Sequence, residues 1–248
     1  MLSRGYGGGR SRSDSVLVVT DGDGDRSAAG DEPLLLSRRL PDVPVAIARR
    51  RIEGVRELRR RGVELTIADD AFQHRRLGRD ADVVLIDATC PFGNGTLIPS
   101  GILREPASAL SRAHLVVLTK VDQAEPEALN ALRAAVERHV RPDRILTSRL
   151  RVDGWAEWDG ALRPCEPPAA GSSVLAFSAI GSPESFARSL RDAGLRIAGE
   201  RRFKDHHRYR RHDLESLCAE RSGCGADFLA CTEKDLYNLP EGWCPPLP

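Results

Sequence analysis

The stretch Leu115-Val116-Val117-Leu118-Thr119-Lys120 decides the fold, because an uninterrupted apolar run gives way abruptly to polar residues. The next periodic segment covers residues 126–140 and has the spacing of an amphipathic helix. Its apolar side consists of Leu129, Leu132, Val136 and Val140. A second short apolar run, Ile145-Leu146, follows. The order strand, helix, strand is that of a βαβ unit and predicts a parallel sheet covered by helices.

The same alternation extends along the chain in both directions. Earlier predicted strands cover residues 16–19, 43–48, 63–67 and 83–86. A change of composition over residues 149–173, which includes Asp159-Gly160, predicts a hairpin and a loop-rich connection. Later strand and helix patterns cover residues 174–179, 185–193, 195–198, 213–220 and 228–232. We therefore predict an α/β protein with a mostly parallel sheet in a core domain (residues 1–148) and a second, smaller α/β domain (residues 149–248).

Two adjacent carboxylates, Asp69 and Asp70, follow the predicted strand at residues 63–67. In open parallel sheets, ligands gather at the carboxyl ends of the strands. Mg²⁺ prefers oxygen ligands and takes few of them from the protein when phosphate and water complete its shell. The pair therefore predicts a magnesium and phosphate site. An aspartate that merely caps the next helix is the alternative, and it would be the better explanation of a single aspartate.

The composition excludes several classes of protein. A chain of 248 residues with 41% hydrophobic content is typical of a globular protein and not of a disordered one. Its 37 basic and 36 acidic residues leave a net charge of +1, and we expect no nucleic-acid partner. The six cysteines show no CxxC spacing, which argues against a structural zinc site and a disulfide framework. No apolar run is long enough to span a bilayer, although binding to a membrane surface stays open.

Residues 201–211 concentrate cations around three rings, those of His206, His207 and Tyr209, a composition that favours a phosphate-bearing ligand. Within this stretch, Asp205-His206-His207 sets imidazoles beside a carboxylate. Such a group can relay a proton, bind a metal or be an ordinary polar surface. Together with Asp21-Gly22-Asp23-Gly24-Asp25, the metal interpretation would give a dinuclear phosphoesterase, the alternative enzyme class.

Thr119-Lys120-Val121-Asp122 follows a predicted buried strand and matches the [NT]KxD pattern with which many GTPases bind guanine. Four residues match often by chance, and no partner motif accompanies them. Nucleotide binding of the GTPase type is therefore a weak alternative.

Seven motifs in order resemble the tetraacyldisaccharide 4'-kinase family of lipid A biosynthesis, and together they cover nearly the whole chain. They are Ser3-Arg4-Gly5-Tyr6-Gly7-Gly8, Gly30-Asp31-Glu32-Pro33, Asp69-Asp70-Ala71-Phe72-Gln73-His74, Gly93-Asn94-Gly95, Leu103-Arg104-Glu105-Pro106, Asp205-His206-His207 and Thr232-Glu233-Lys234-Asp235. The resemblance implies a core of P-loop kinase type. It also implies phosphoryl transfer from ATP, with Mg²⁺, to the 4'-hydroxyl of a tetraacyldisaccharide phosphate at the cytoplasmic face of the inner membrane.

By residue match, the resemblance also implies roles. Asp31 would act as base toward the sugar hydroxyl and pair with His206, while Asp70 and Arg104 would be further catalytic residues. The metal ligands would be Asp69, Asp70 and Glu105. Contacts to substrate or nucleotide would come from Arg4, Tyr6, Glu32, Gln73 and His74. Phosphoryl transfer agrees with such a set, since it needs positioning and charge neutralisation more than covalent chemistry.

One departure from the family is large. The family carries a P-loop, G-x-x-x-x-G-K-[ST], upstream of its SRGYGG motif, and this sequence starts at Met1-Leu2-Ser3 without it. The amphipathic segment that would anchor the family to the bilayer is missing as well. We therefore expect an N-terminally truncated member with very weak or no kinase activity; a non-catalytic lipid-binding remnant is the remaining alternative. Smaller departures are Ala71 and Ala179 in place of glycine and Asn238 in place of lysine.

Overall fold

The computed structural model describes residues 1–5, 15–20, 26–240 and 242–243, and its architecture is α/β, as predicted. In this part of the chain the strands are β1 (Leu2–Ser3), β2 (Leu17–Val19), β3 (Val45–Ile47), β4 (Val83–Asp87), β5 (Leu115–Thr119), β6 (Ile145–Thr147), β7 (Trp155–Trp158), β8 (Leu162–Cys165), β9 (Ser173–Ser178), β10 (Arg196–Arg202) and β11 (Phe228–Ala230). The helices are α1 (Arg26–Ala29), α2 (Asp31–Arg39), α3 (Arg51–Arg60), α4 (Pro126–Glu137), α5 (Pro183–Asp192), α6 (Arg211–Cys224) and α7 (Glu233–Leu236). None of the helices in these ranges combines the length and apolar character that crossing a bilayer would require.

The chain divides into two compact units that differ from the predicted domains. The first unit combines Met1–Asp69 with Val152–Pro248, and the second is Asp70–Arg151. The boundary between Arg151 and Val152 lies close to the predicted domain boundary at residues 148 and 149. The other boundary divides the predicted first domain at Asp69, and within the first unit α2 packs against α7 and β3. The functional assignment of residues 1–148 and 149–248 stays a prediction.

The first unit contains two three-stranded sheets. In one, β3 lies between β1, which is parallel to it, and β2, which is antiparallel. In the other, β9 lies between β10 and β11, and all three strands are parallel. Strand β9 is buried along its whole length, with Leu175 packed toward Leu214 of α6 and Val174 packed toward Leu190 of α5. Helices on both faces explain why the four central residues, Val174 to Phe177, are all apolar.

The second unit has the βαβ arrangement that the sequence predicts. Strands β4, β5 and β6 form a parallel sheet, and β5 and β6 are joined by α4. Val116 and Leu118 of β5 are fully buried and pack in one cluster with Leu132 and Val136 of α4. The predicted helix over residues 126–140 is confirmed as Pro126–Glu137. The antiparallel hairpin predicted around Asp159-Gly160, in the first unit, is also confirmed, as β7 and β8.

The strand predicted at residues 63–67 is wrong. No residue of this segment lies in a strand; the nearest bridge joins Leu2 to Ala68, and Leu2 N donates to the Ile67 carbonyl 2.8 Å away. Val63 packs against the cluster of Leu2 and Leu58, but Leu65 and Ile67 are 78% and 62% exposed, so most of the apolar face of the alternating pattern is uncovered. An alternating segment becomes a strand only where a partner strand and a covering layer are available, and β1 is just two residues long.

Candidate functional site

Asp31 is the first residue of α2, where the partial positive charge of a helix N-terminus favours a carboxylate. Gly30, which precedes it, has φ of 89°, a left-handed conformation that glycine adopts without steric cost. The Glu32 backbone N–H donates to Asp31 Oδ1 over 2.9 Å. Leu34 anchors the helix in a cluster with Ile47 of β3. The Asp31 carboxylate is thereby held in a buried position, with 4% exposure.

His206 lies beside Asp31 although 175 positions separate the two residues in the chain. Its Nδ1 is 2.9 Å from Asp31 Oδ2 and 3.2 Å from Asp31 Oδ1. The His206 backbone N–H donates to the carbonyl of Ala179, just after β9, over 3.1 Å. The side chain of His206 is 29% exposed against 4% for Asp31, so the pair reaches solvent through the imidazole. The pairing implied by the resemblance is present, while the catalytic roles stay predictions.

Asn238 is a third member of this group, although no pattern in the sequence indicated a role for it. Its Nδ2 donates to Asp31 Oδ2 over 3.2 Å. Burial alone would raise the pKa of the Asp31 carboxyl, but hydrogen bonds from His206 and Asn238, with the charges of His206 and Lys234, outweigh it. The pKa of Asp31 therefore lies below its ordinary value, and this carboxyl is ionised at neutral pH.

Charged side chains surround the Asp31–His206 pair. Lys234 Nζ lies 3.5 Å from Asp205 Oδ1, and His206 Nε2 lies 3.7 Å from Asp205 Oδ2. Partial desolvation, together with the nearby carboxylates of Asp69 and Asp31, raises the pKa of Glu32 even though Lys234 opposes the change. A lysine, a histidine and several carboxylates thus lie around one buried aspartate.

A buried carboxylate, that of Asp235, holds the surrounding loops. It is 0% exposed and accepts hydrogen bonds from the Ala179 backbone N–H (2.7 Å), the Tyr209 hydroxyl (2.8 Å), and the Thr232 N–H (3.1 Å) and hydroxyl (2.5 Å). Because the Ala179 carbonyl accepts from the His206 N–H, Asp235 is linked to His206 through one residue. We call Asp235, Tyr209, Thr232 and Ala179 the Asp235 frame.

Two of the three rings predicted to suit a phosphate, those of Tyr209 and His207, contact other side chains of the protein. Tyr209 is 4% exposed and packs edge-on against Phe177 and Phe203, and burial together with Asp235 raises its pKa. His207 stacks on Phe203 at 4.9 Å, and its Nε2 lies 3.1 Å from Asp213 Oδ2. The prediction that these rings suit a phosphate is wrong for Tyr209, because composition does not reveal which rings of a basic segment turn into the core.

In the second unit, Arg104 and Asp70 form an ion pair. Arg104 Nη1 lies 2.9 Å and 2.8 Å from the two Asp70 oxygens, and the side chains are 50% and 40% exposed. The adjacent Glu105 pairs with Arg112 at 2.5 Å, and Arg112 lies over the Phe72 ring. Three predicted site residues, the cation Arg104 and the anions Asp70 and Glu105, are therefore each held in an ion pair on this unit.

The metal prediction remains untested by this geometry. Within the described ranges, no group of three or more His, Cys, Asp or Glu side chains could hold a metal ion. Asp69, in the first unit, is exposed, and its backbone carbonyl accepts from Arg51. His206 and His207 contact different carboxylates, Asp31 and Asp213, which gives the dinuclear phosphoesterase interpretation no support. Its other half, Asp21 to Asp25, lies outside the described residues.

Three non-glycine residues in the described chain have a positive φ: Asp70 (47°), Lys120 (55°) and His206 (59°). Each belongs to a motif that the sequence singled out. Such conformations cost about 1–3 kcal/mol and cluster at functional sites. Lys120, of the TKVD segment, places Nζ 2.6 Å from Asp87 Oδ2. Burial would raise the pKa of Asp87, but the hydrogen bonds from Lys120 and Thr89 lower it overall.

The other predicted contact residues are spread over the chain. Arg4 follows β1 and is exposed, as is Gln73 in the second unit. His74 is half-buried, and its carbonyl accepts from Arg79 over 2.7 Å. Tyr6 lies outside the described residues. Their roles toward substrate or nucleotide stay predictions.

We expect Arg104→Ala to leave stability almost unchanged. An ion pair this exposed contributes about 1 kcal/mol or less, since water screens it and ordering the side chains costs entropy. Thermal unfolding followed by circular dichroism measures the effect. Arg133→Ala, which removes an exposed pair with Glu137, is the matched control. A loss of several kcal/mol in Arg104→Ala alone would assign Arg104 a structural function instead.

The sequence and the structure of this chain are similar to those of known proteins. A family model described as tetraacyldisaccharide-1-P 4'-kinase matches residues 1–244. Tetraacyldisaccharide 4'-kinase of Anaeromyxobacter dehalogenans (strain 2CP-C) is 42% identical over 252 residues, and that of Syntrophotalea carbinolica is 39% identical over 243 residues. Both alignments cover 96% of this chain but only 63% and 64% of those relatives. The crystal structure of LpxK from Aquifex aeolicus in complex with ATP matches with a TM-score of 0.64 and 27% identity, covering 98% of this chain and 70% of that one.

Proposed function

The chain belongs to the tetraacyldisaccharide-1-P 4'-kinase family, and on that basis we propose that it carries the acceptor-side chemistry of a lipid A kinase. The reaction would transfer the γ-phosphoryl group of ATP to the 4'-hydroxyl of tetraacyldisaccharide 1-phosphate. The observation that carries the proposal is the contact of 2.9 Å between His206 Nδ1 and Asp31 Oδ2. An ionised carboxylate against an imidazole can take up the proton that the attacking hydroxyl must lose.

In this proposal Asp31 is the base and His206 is its partner at the solvent-exposed end of the pair. The lowered pKa of Asp31 keeps the carboxylate ready to accept a proton at neutral pH. Glu32 N–H donates to one of its oxygens and Asn238 Nδ2 donates to the other. The hydroxyl proton passes to this pair as the oxygen attacks phosphorus, and Lys234 is near enough to offset the local negative charge.

On the second unit, Arg104 is proposed to neutralise charge on the transferring phosphoryl group, which is the main requirement of this chemistry. Asp70 and Glu105 are the proposed Mg²⁺ ligands of this unit, while the role of Asp69, on the first unit, stays a prediction from the sequence. Their carboxylate oxygens are the hard donors that this ion prefers, and one or two suffice when phosphate and water supply the rest. When bound, Mg²⁺ would neutralise charge on the ATP phosphates.

The 248 residues contain no G-x-x-x-x-G-K-[ST] segment. A P-loop supplies backbone N–H groups, a lysine and a hydroxyl to the nucleotide phosphates. We therefore propose that this polypeptide, assayed by itself, transfers phosphate slowly. Because the acceptor is a lipid and ATP is cytoplasmic, the reaction would take place peripherally at the cytoplasmic face of the inner membrane.

Transfer of ³²P from labelled MgATP to tetraacyldisaccharide 1-phosphate in mixed micelles tests the proposal. We expect slow labelling of the 4' position, well below the typical kinase rates of about 1–100 s⁻¹, and none with a 4'-deoxy acceptor. Turnover at a typical kinase rate would contradict the slow transfer. Failure to label or bind the acceptor at all would refute the assigned function.

A further inference from the structure

Asn238 donates to the oxygen of the Asp31 carboxylate that the Glu32 N–H of the same helix does not contact. Its Nδ2 is 3.2 Å from Asp31 Oδ2, and the residue is 4% exposed, so the contact is shielded from solvent. We propose that Asn238 is a positioning residue that fixes the rotation of the Asp31 carboxylate toward His206. The inference rests on the proposed function, since it concerns the same acceptor-side pair.

The orientation of the Asn238 amide is determined by two acceptors. Besides Asp31 Oδ2, Nδ2 lies 3.5 Å from the carbonyl oxygen of Lys234. The opposite orientation would turn the amide oxygen toward an ionised carboxylate and a carbonyl, and both contacts would be repulsive. The donor therefore points at Asp31.

The backbone of Asn238 is fixed by the Asp235 frame. Its N–H donates to the Asp235 carbonyl over 2.8 Å, and its carbonyl accepts from the Tyr209 N–H over 2.9 Å. With the Glu32 N–H on Oδ1 and Asn238 on Oδ2, the Asp31 carboxylate is held from both sides. His206 Nδ1 approaches both oxygens of this carboxylate, Oδ1 at 3.2 Å and Oδ2 at 2.9 Å.

An amide is suited to this position because it donates without carrying a charge. The charged or titratable groups that act on Asp31 are His206 and Lys234, and Glu32 is its neighbour in the helix. The hydrogen bond from Asn238 favours the ionised form of Asp31 at any pH, whereas a histidine contributes according to its protonation.

The test is a pH titration of the Asp31 side-chain carboxyl by ¹³C NMR in the whole chain. Asn238→Leu keeps the branching of the side chain at the γ carbon but has no donor, and we expect the pKa of Asp31 to rise by about one pH unit. Asn130→Leu, at an exposed position of α4, is the matched control and should leave the titration unchanged. A residue that served only to pack the core would lower stability without moving this pKa.

A second measurement keeps the test decisive if Asn238→Leu fails to fold. In the wild-type chain, the side-chain ¹⁵N–¹H signals of Asn238 should shift with the titration of Asp31, and Asp31→Asn should abolish that shift. An Asp31 pKa unchanged in folded Asn238→Leu, or Asn238 signals insensitive to Asp31, would overturn the proposal. Neither experiment uses ATP or acceptor. The NMR result therefore does not depend on the outcome of the kinase assay, and the two proposals can fail independently.

Discussion

Replacing Asp31 by asparagine is expected to lower the rate of ³²P transfer to the 4'-hydroxyl by about 10²- to 10⁴-fold, the usual contribution of a positioned general base. Asparagine has nearly the same shape, and it can still accept one hydrogen bond from Glu32 N–H or from His206. It cannot take up a proton at neutral pH. Binding of the lipid acceptor should therefore persist while the chemical step is lost, and separate binding and single-turnover measurements distinguish the two.

The matched control is Asp213→Asn, which alters another carboxylate–imidazole contact in the same unit. Its carboxyl pKa is also lowered, because hydrogen bonds from the Arg210 backbone and His207 outweigh burial. Transfer per folded molecule should change little in this variant. Equal losses in both variants would mean that Asp31 acts through the fold and not as a base.

The pH dependence gives Asp31→Asn a second signature. The pKa of Asp31 in the folded protein lies below its ordinary value of about 4. The ionised carboxylate therefore contributes its full stabilisation above the ordinary pKa. The contribution is lost as the pH falls through the lower, folded pKa. Acid unfolding of the wild type should therefore include a component that Asp31→Asn lacks. Identical acid unfolding curves would contradict the ionised, hydrogen-bonded state of this carboxylate.

Local periodicity was sufficient to predict the βαβ unit formed by β5, α4 and β6, because each element carries its own apolar pattern and packs on its sequence neighbours. Local periodicity predicted a strand at residues 63–67 that the structure does not contain. There the alternation is as regular as in a true strand, but Leu65 and Ile67 meet no covering layer. Whether an alternating segment pairs depends on distant elements, which the segment itself does not encode.

The candidate site was only partly visible in the sequence. Asp31 and His206 are 175 positions apart, and no spacing rule relates them, so only the resemblance to the family implied their pairing. Asn238 has no local signal. Asp235 had one: Thr232 precedes it by three residues, the spacing of a capping box, and both halves of that box are formed. The capping pattern predicts a helix start but not the two further donors that make Asp235 central.

Replacing Asp235 by alanine is expected to lower the free energy of unfolding by about 3–5 kcal/mol, because four donors would lose a fully buried, charged acceptor. Urea unfolding followed by tryptophan fluorescence suits the measurement. All three tryptophans, Trp155, Trp158 and Trp243, lie in the unit that contains Asp235, so the signal reports that unit.

Two comparisons show whether the loss arises from the frame itself. Tyr209→Phe removes one donor and leaves the other three in place, so we expect a loss of only about 1–2 kcal/mol. Asp192→Ala removes a carboxylate that is 64% exposed and 4.0 Å from Arg188, and it should change stability by less than about 0.5 kcal/mol. A loss below about 1 kcal/mol in Asp235→Ala would mean that the four donors find other acceptors. In that case the position of His206, which depends on Ala179 and hence on Asp235, would need another explanation.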